Sequence, residues 1–209
     1  MLAPVIVLLL AATTPGEGAA AGADPGAAAT APADPAAQAL ARKVQAFYER
    51  TRDLSARFRQ TYTYGGFGRR QVSSGQLLVK KPGMMRWEYQ APSAKTVAVK
   101  GRRLVQYEPE ENQAYVDEHF DATTMSAALA FLLGRGDLVK EFEVSQSSTG
   151  ALVLHPREPD PRVASIELVA AADGQIKATR VVDGAGNVNE IAFEVKLPPD
   201  VVQIAPPGQ

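Results

Sequence analysis

Residues 74–117 read SGQLLVKKPGMMRWEYQAPSAKTVAVKGRRLVQYEPEENQAYVD. Leu77 and Val79 start an alternating apolar face, which Pro82-Gly83 interrupts with residues suited to a type II turn. Met85, Trp87 and Tyr89 then alternate with Met84, Arg86 and Glu88, the period of a strand with one apolar face. Ala91-Pro92 ends that strand, because proline lacks an N–H for the ladder and forces its predecessor to be extended. Val97 and Val99 follow, Lys100-Gly101 turns the chain, and Val105 and Tyr107 return on one face. A solvated turn over residues 108–112 leads to Tyr115 and Asp117, which alternate with Ala114 and Val116. Five short strands joined by tight turns make a meander with one large apolar face.

Working outward on the N-terminal side, Asp34-Pro35 is a helix start: a side-chain acceptor followed by proline at the first helical position. Leu40, Val44, Phe47, Thr51 and Leu54 recur at helical spacing, with Arg42, Lys43, Gln45, Glu49 and Arg50 opposite them. From Leu54 the period changes to two: Leu54, Ala56, Phe58, Gln60, Tyr62 and Tyr64 form one wide, partly aromatic face, ended by Gly65-Gly66.

On the C-terminal side, residues 122–134 carry no charge. Met125, Leu129 and Leu132 form a helical stripe, while Ala128, Phe131 and Leu133 leave no polar face. A helix that is apolar all round is buried in a core or faces something greasy. The second reading fits better here, since the helix interrupts a meander whose apolar face needs a cover. Gly136-Asp137 restarts a short helix through Glu141, and strands are predicted over 142–147, 151–155, 164–170, 176–183 and 188–197, with Gly150, Asp173-Gly174 and Gly186-Asn187 in the turns. Val201–Ala205 predicts one short further edge piece.

The chain has 209 residues, 45% of them hydrophobic, enough for one domain with a proper core. Glu17 and Asp24 are the only charges in residues 1–33, so the remainder carries 22 basic and 21 acidic groups and lacks the basic excess of a nucleic-acid binder. No cysteine is present, which removes disulfides, thiol nucleophiles, cysteine metal sites and any lipobox. Val5–Leu10 has the length of a signal-peptide apolar core, although no basic residue precedes it. The expected division is a signal peptide over 1–23, an Ala/Pro-rich linker over 24–35 and a folded domain over 36–209.

No catalytic constellation is found: there is no HExxH, GxSxG or glycine-rich phosphate loop. His119, between Glu118 and Asp121, reads as a solvated strand end, and His155-Pro156 as a strand terminus. No metal, cofactor or enzymatic activity is expected. The informative feature is large, adaptable apolar surface, in which three of the four methionines take part. Periodicity alone leaves a packed core and a ligand cavity equally open.

The order SGxLxVKKPGxxRWEYxxP followed by KGxxLxxYxPxxNQ resembles the LolA family of periplasmic carriers that take lipoproteins to the outer membrane, and FRQTYTYGG resembles that family's opening strand. The resemblance runs from about Leu40 to Ala205. It implies a mainly β chain with helices (α+β), an incomplete antiparallel barrel whose curved meander sheet is covered by a helical lid. It favours the cavity reading, with Phe58, Tyr62, Leu77, Val79, Met85, Trp87, Tyr89, Val97, Val99, Met125, Leu129 and Leu132 against the acyl chains. It also implies a monomer in the periplasm that takes lipoproteins from an inner-membrane ABC transporter and gives them to an outer-membrane receptor of the LolB type. The missing cysteine separates the chain from LolB itself, which is tethered through a lipidated cysteine. Lys80-Lys81-Pro82 stands where the family has Lys-Arg-Pro, so Lys81 replaces an arginine that holds the lid, and Met85 replaces an aromatic residue. A non-transport sensor or adaptor on the same scaffold, recognising lipidated or misfolded proteins, is the alternative, because a fold alone does not select a function.

Overall fold

The computed structural model describes residues 34–120 and 136–196. The apolar stretch over 122–134, with Met125, Leu129 and Leu132, lies outside the described residues, as do the N-terminal 33 residues and Val201–Ala205.

Asp34 caps the first helix, α1 (Pro35–Arg50), its Oδ1 accepting from the N–H groups of Ala36 and Ala37 at 2.9 and 3.2 Å. The helix stops at Thr51, whose backbone turns extended while its N–H and hydroxyl both donate to the Phe47 carbonyl. The buried side is Ala37, Ala41, Val44, Phe47 and Tyr48. The expected stripe is therefore shifted: Leu40 is only half-buried, Thr51 is the cap, and Leu54 already belongs to the next strand. Two alanines in the contact row let the helix approach the sheet closely.

Eleven strands follow: β1 (Asp53–Thr63), β2 (Arg70–Lys80), β3 (Met84–Tyr89), β4 (Lys95–Lys100), β5 (Arg103–Glu108), β6 (Gln113–Asp117), then after a short helix α2 (Leu138–Glu141) β7 (Phe142–Gln146), β8 (Leu152–Pro156), β9 (Ser165–Ala170), β10 (Ile176–Val182) and β11 (Val188–Lys196). Alternating patterns and turn residues place them close to the predicted positions. One turn differs: the Lys81–Pro82 peptide is cis, which a type II turn with proline in second place does not have.

All eleven strands form one antiparallel sheet in the order β6-β5-β4-β3-β2-β1-β11-β10-β9-β8-β7. Strands adjacent in sequence are adjacent in space except β6 and β7, and at the centre β1 pairs with the distant β11 from Ser55↔Lys196 to Thr63↔Val188. That pairing joins two meanders edge to edge and leaves β6 and β7 as the outer strands, so the sheet is not closed. Twisted sheets of more than about ten strands curl, and this one is an incomplete barrel.

Two apolar clusters line the inner face. The first holds α1 and α2 against the C-terminal meander, through Val44, Phe47 and Tyr48 on one side and Phe142, Leu152, Leu154, Ile166 and Leu168 on the other. Gly174, in the β9–β10 turn, makes this approach possible: its φ is +93°, and a Cβ there would lie 2.4 Å from the Lys43 carbonyl oxygen. The second cluster lies on the N-terminal meander, and neither α1 nor α2 contributes a residue to it. Leu54 and Phe193 touch both.

Candidate functional site

The second cluster is built in rows, because antiparallel register sets inward side chains of neighbouring strands side by side. The first row runs Leu54, Val79, Met85, Val99, Leu104. The second runs Ala56, Leu77, Trp87, Val97, Gln106 and ends at the exposed Tyr115 on the edge strand. The third runs Phe58, Gly75, Tyr89, Lys95. Phe120, just after β6, and Ile191 of β11 complete the cluster.

The aromatic centre is tightly set. The Phe58 ring meets Trp87 edge-on at 4.7 Å and Tyr89 at 5.1 Å, and Trp87 lies 6.2 Å from Tyr89 in a stacked arrangement. Gly75 leaves the space that the Phe58 ring enters, since a Cβ there would stand 2.9 Å from the ring and 1.9 Å from the Glu88 carbonyl oxygen. The Trp87 indole N–H donates to the Met85 sulfur at 3.3 Å, a weak acceptor that satisfies a buried donor. Met85 thus has a polar partner that its sequence position does not reveal.

The structure brings together Phe58, Leu77, Val79, Met85, Trp87, Val97 and Val99 as buried members of this cluster, with Tyr89 packed on its side. Tyr62 shares the inner face but lies beyond Gln60, against Tyr64 at 4.8 Å. Its hydroxyl is buried and has no hydrogen-bond partner among the described residues, and burial pushes it up to about 12. On β5 Val105 and Tyr107 do share one face, but it is the outer one, with Tyr107 41% exposed; the inner face is Leu104 and Gln106. Leu104-Val105 offers an apolar residue to either face, so the neighbouring β4 decides: Val99 sits opposite Leu104. Leu104, Phe120 and Ile191 also belong to the cluster, with Phe193 packed against it, and for Ile191 and Phe193 no local pattern points there, because the β1–β11 pairing that brings them is long-range. His119 is exposed, its backbone N–H donating to Asp117 Oδ1 at 2.8 Å.

Lys81 closes the end of the first row against α1. Its ammonium donates to the Tyr48 carbonyl oxygen, and its backbone N–H donates to the Arg52 carbonyl at 2.7 Å. Because the Thr51 N–H takes the Phe47 carbonyl, Tyr48 offers the next helical carbonyl, at a helix end that carries partial negative charge. The lysine is half-buried, and desolvation lowers its pKa while nearby Glu49 works to raise it. The cation thus holds the end of α1, the helix beside the first cluster.

Tyr48 ties the same helix end to the other meander: its hydroxyl accepts from the Ile176 N–H at 3.2 Å. Burial pushes this hydroxyl from 10.0 up to about 12, with the Ile176 bond acting the other way and Asp173 adding to the rise. A raised folded pKa means a contribution that is complete below about pH 10 and lost as pH rises towards 12. Denaturant titrations across that window are expected to show up to about 2–3 kcal/mol of lost stability from this group. Tyr48→Phe removes that share of the slope, at a cost of about 1 kcal/mol at neutral pH for the lost hydrogen bond.

A family model described as outer membrane lipoprotein carrier protein LolA matches residues 49–198. An outer-membrane lipoprotein carrier protein of Azotobacter vinelandii is 30% identical over 162 residues, covering 74% of this chain and 76% of that protein. A protein of the same description from Chromobacterium violaceum is 28% identical over 175 residues, covering 79% and 82%. Among solved structures, a LolA superfamily protein of Nitrosomonas europaea aligns with a TM-score of 0.41 at 10% identity over 78% of this chain and 93% of that one. The MucA/MucB complex of Pseudomonas aeruginosa aligns with a TM-score of 0.46 at 13% identity over 78% and 58%. The model match over most of the described sheet, with relatives of this identity and coverage, makes the chain a member of the LolA family of outer-membrane lipoprotein carrier proteins.

Proposed function

We propose that this chain is a periplasmic carrier that holds the acyl chains of lipoproteins against the inner face of β1–β5. The observation that carries the reading is the second cluster: aromatic and aliphatic, with Met85 beside Trp87, on the inner face of an open sheet, with no residue from either described helix. Its members are Phe58, Leu77, Val79, Met85, Trp87, Tyr89, Val97 and Val99, with Tyr62 at its far margin. The stretch holding Met125, Leu129 and Leu132 serves as the lid. An acyl chain contributes about 0.8 kcal/mol per buried methylene, so reversible carriage needs an adaptable surface, which methionine and aromatic edges supply.

The family is one of carriers and not of enzymes. In this reading the lipoprotein arrives from an inner-membrane ABC transporter, whose nucleotide cycle supplies the driving force. It leaves to an outer-membrane receptor of the LolB type, where one is present. The carrier works as a monomer; residues 1–23 direct export, the linker that follows ends before Asp34, which already caps α1, and the domain from there on does the carrying.

The test is native mass spectrometry of protein purified without detergent from an exporting host. A retained lipoprotein or other lipid is the expected result, together with saturable change in the emission of Trp87, the only tryptophan, on adding acyl ligands. Protein that emerges bare, with Trp87 emission indifferent to every acyl ligand, would leave the second cluster as an ordinary core.

A further inference from the structure

Across its rows the inner face of β1–β5 changes character. The row nearest Lys81 is wholly apolar between Leu54 and Leu104. One row on, Trp87 and Val97 stand beside Gln106, which is buried and donates to Glu108 at 2.6 Å. In the next row Tyr89 is paired with Lys95. Lys95 lies on the same face as Val97 and Val99 and is only 9% exposed. Its ammonium sits 4.7 Å from the centre of the Tyr89 ring.

Putting a cation on an apolar face is costly, and burial lowers the Lys95 pKa accordingly, with Glu108 working to raise it. The Tyr89 ring and Glu108 offset part of that cost. The long aliphatic stem meanwhile continues the greasy surface. The result is one polar end on an otherwise apolar strip, with the Lys95 ammonium and the Tyr89 hydroxyl as donors. Glu108 beside Lys95 balances the charge, so the end suits a neutral acceptor better than an anion.

We infer that the Lys95–Tyr89 end takes the ester head of a fatty-acyl ligand, both side chains donating to its carbonyl oxygens, while the chain runs past Trp87 towards Met85 and Val99. This assigns a direction and a head-group chemistry to the acyl site proposed above, and it rests on that reading. The fatty-acyl ester is common to a lipoprotein's diacylglyceryl anchor and to a phospholipid.

Bromine quenching of Trp87 tests the direction. Two residues of strand rise about 7 Å, the length of roughly six chain carbons, so Trp87 lies one such step from the Tyr89–Lys95 row and one from the Met85–Val99 row. Methyl stearate brominated at the sixth and seventh carbons is expected to quench Trp87 at least about twofold more than the ester brominated at the eleventh and twelfth, a distance discrimination that follows from the row spacing. Lys95→Met should weaken binding of the ester about tenfold, as loss of one charged hydrogen bond, and leave bromododecane binding unchanged. A synthetic diacylglyceryl lipopeptide and a phosphatidylcholine with the same chains should lose equally. Stronger quenching from the distal bromines, equal losses for ester and bromoalkane, or a loss confined to one of the two lipids would overturn the inference while leaving the carrier reading intact. If neither the esters nor bromododecane quench Trp87, the carrier reading falls and this inference with it.

Discussion

Phe58→Ala is expected to lower the free energy of unfolding by about 3–5 kcal/mol, the range for removing a buried phenylalanine ring. Phe58 is 4% exposed, its ring meets both Trp87 and Tyr89, and its partners across the strands are Gly75 and Phe193. Gly75 has no side chain with which to fill the vacated volume, and the flanking backbone is held by ladders on both sides, so the site collapses poorly and the cost belongs in the upper half of that range. Urea titration should show a lower midpoint with an unchanged slope. The same variant separates a core from a ligand surface. If acyl chains lodge here, a saturating long-chain ester occupies the new cavity and restores more stability to the variant than it adds to the parent, in proportion to the logarithm of its relative affinity. A deficit of this size that no acyl ligand reduces would mean that the aromatic centre is permanently closed.

Lys81→Leu is expected to leave lipoprotein loading intact and to slow its handover to receptor-bearing membranes by roughly tenfold, the equivalent of one charged hydrogen bond at the low end of its range. The low end applies because Lys81 is only half-buried and solvent weakens its charge. The partner is the Tyr48 carbonyl of α1. The family resemblance puts this contact on the lid; in the described residues it falls on the helix that packs on the other meander. If this bond is made in the empty, closed arrangement and broken on loading, its loss shifts the balance towards the loaded state. Lys81→Arg should release at least as readily as the parent, since the planar guanidinium offers a fork of donors to the same carbonyl end. Handover from purified carrier, with loading assayed separately, decides the matter. Equal loading and release in the leucine variant would make Lys81 a fastening for the end of α1 and nothing more.

Much of this molecule is legible locally. Period-two alternation, Gly-containing turns and the Asp34-Pro35 start place α1, α2 and all eleven strands near their observed positions, because each signal acts within a few residues: side chains alternate across a strand, and a carboxylate reaches the N–H groups of the first helical turn. Leu77, Val79, Met85, Trp87, Val97 and Val99 are likewise legible as one face, since three strands in sequence carry the same alternation.

What the sequence by itself does not determine is which surfaces meet. The β1–β11 pairing joins segments more than a hundred residues apart and has no local signature, yet it brings Ile191 and Phe193 to Phe58 and makes one sheet of two meanders. Leu104-Val105 is apolar on both faces, so only the register with β4 turns Leu104 inward. Nothing in the local pattern singles out Lys95; the β3–β4 register sets its ammonium over the Tyr89 ring. The helix stripe likewise does not name its partner: α1 packs on the C-terminal meander, and the aromatic cluster of the N-terminal meander is left without helical residues from α1 or α2. Periodicity encodes that a face must be buried, whereas the choice of its cover depends on shape and register over long sequence distances, and only the tertiary structure settles it.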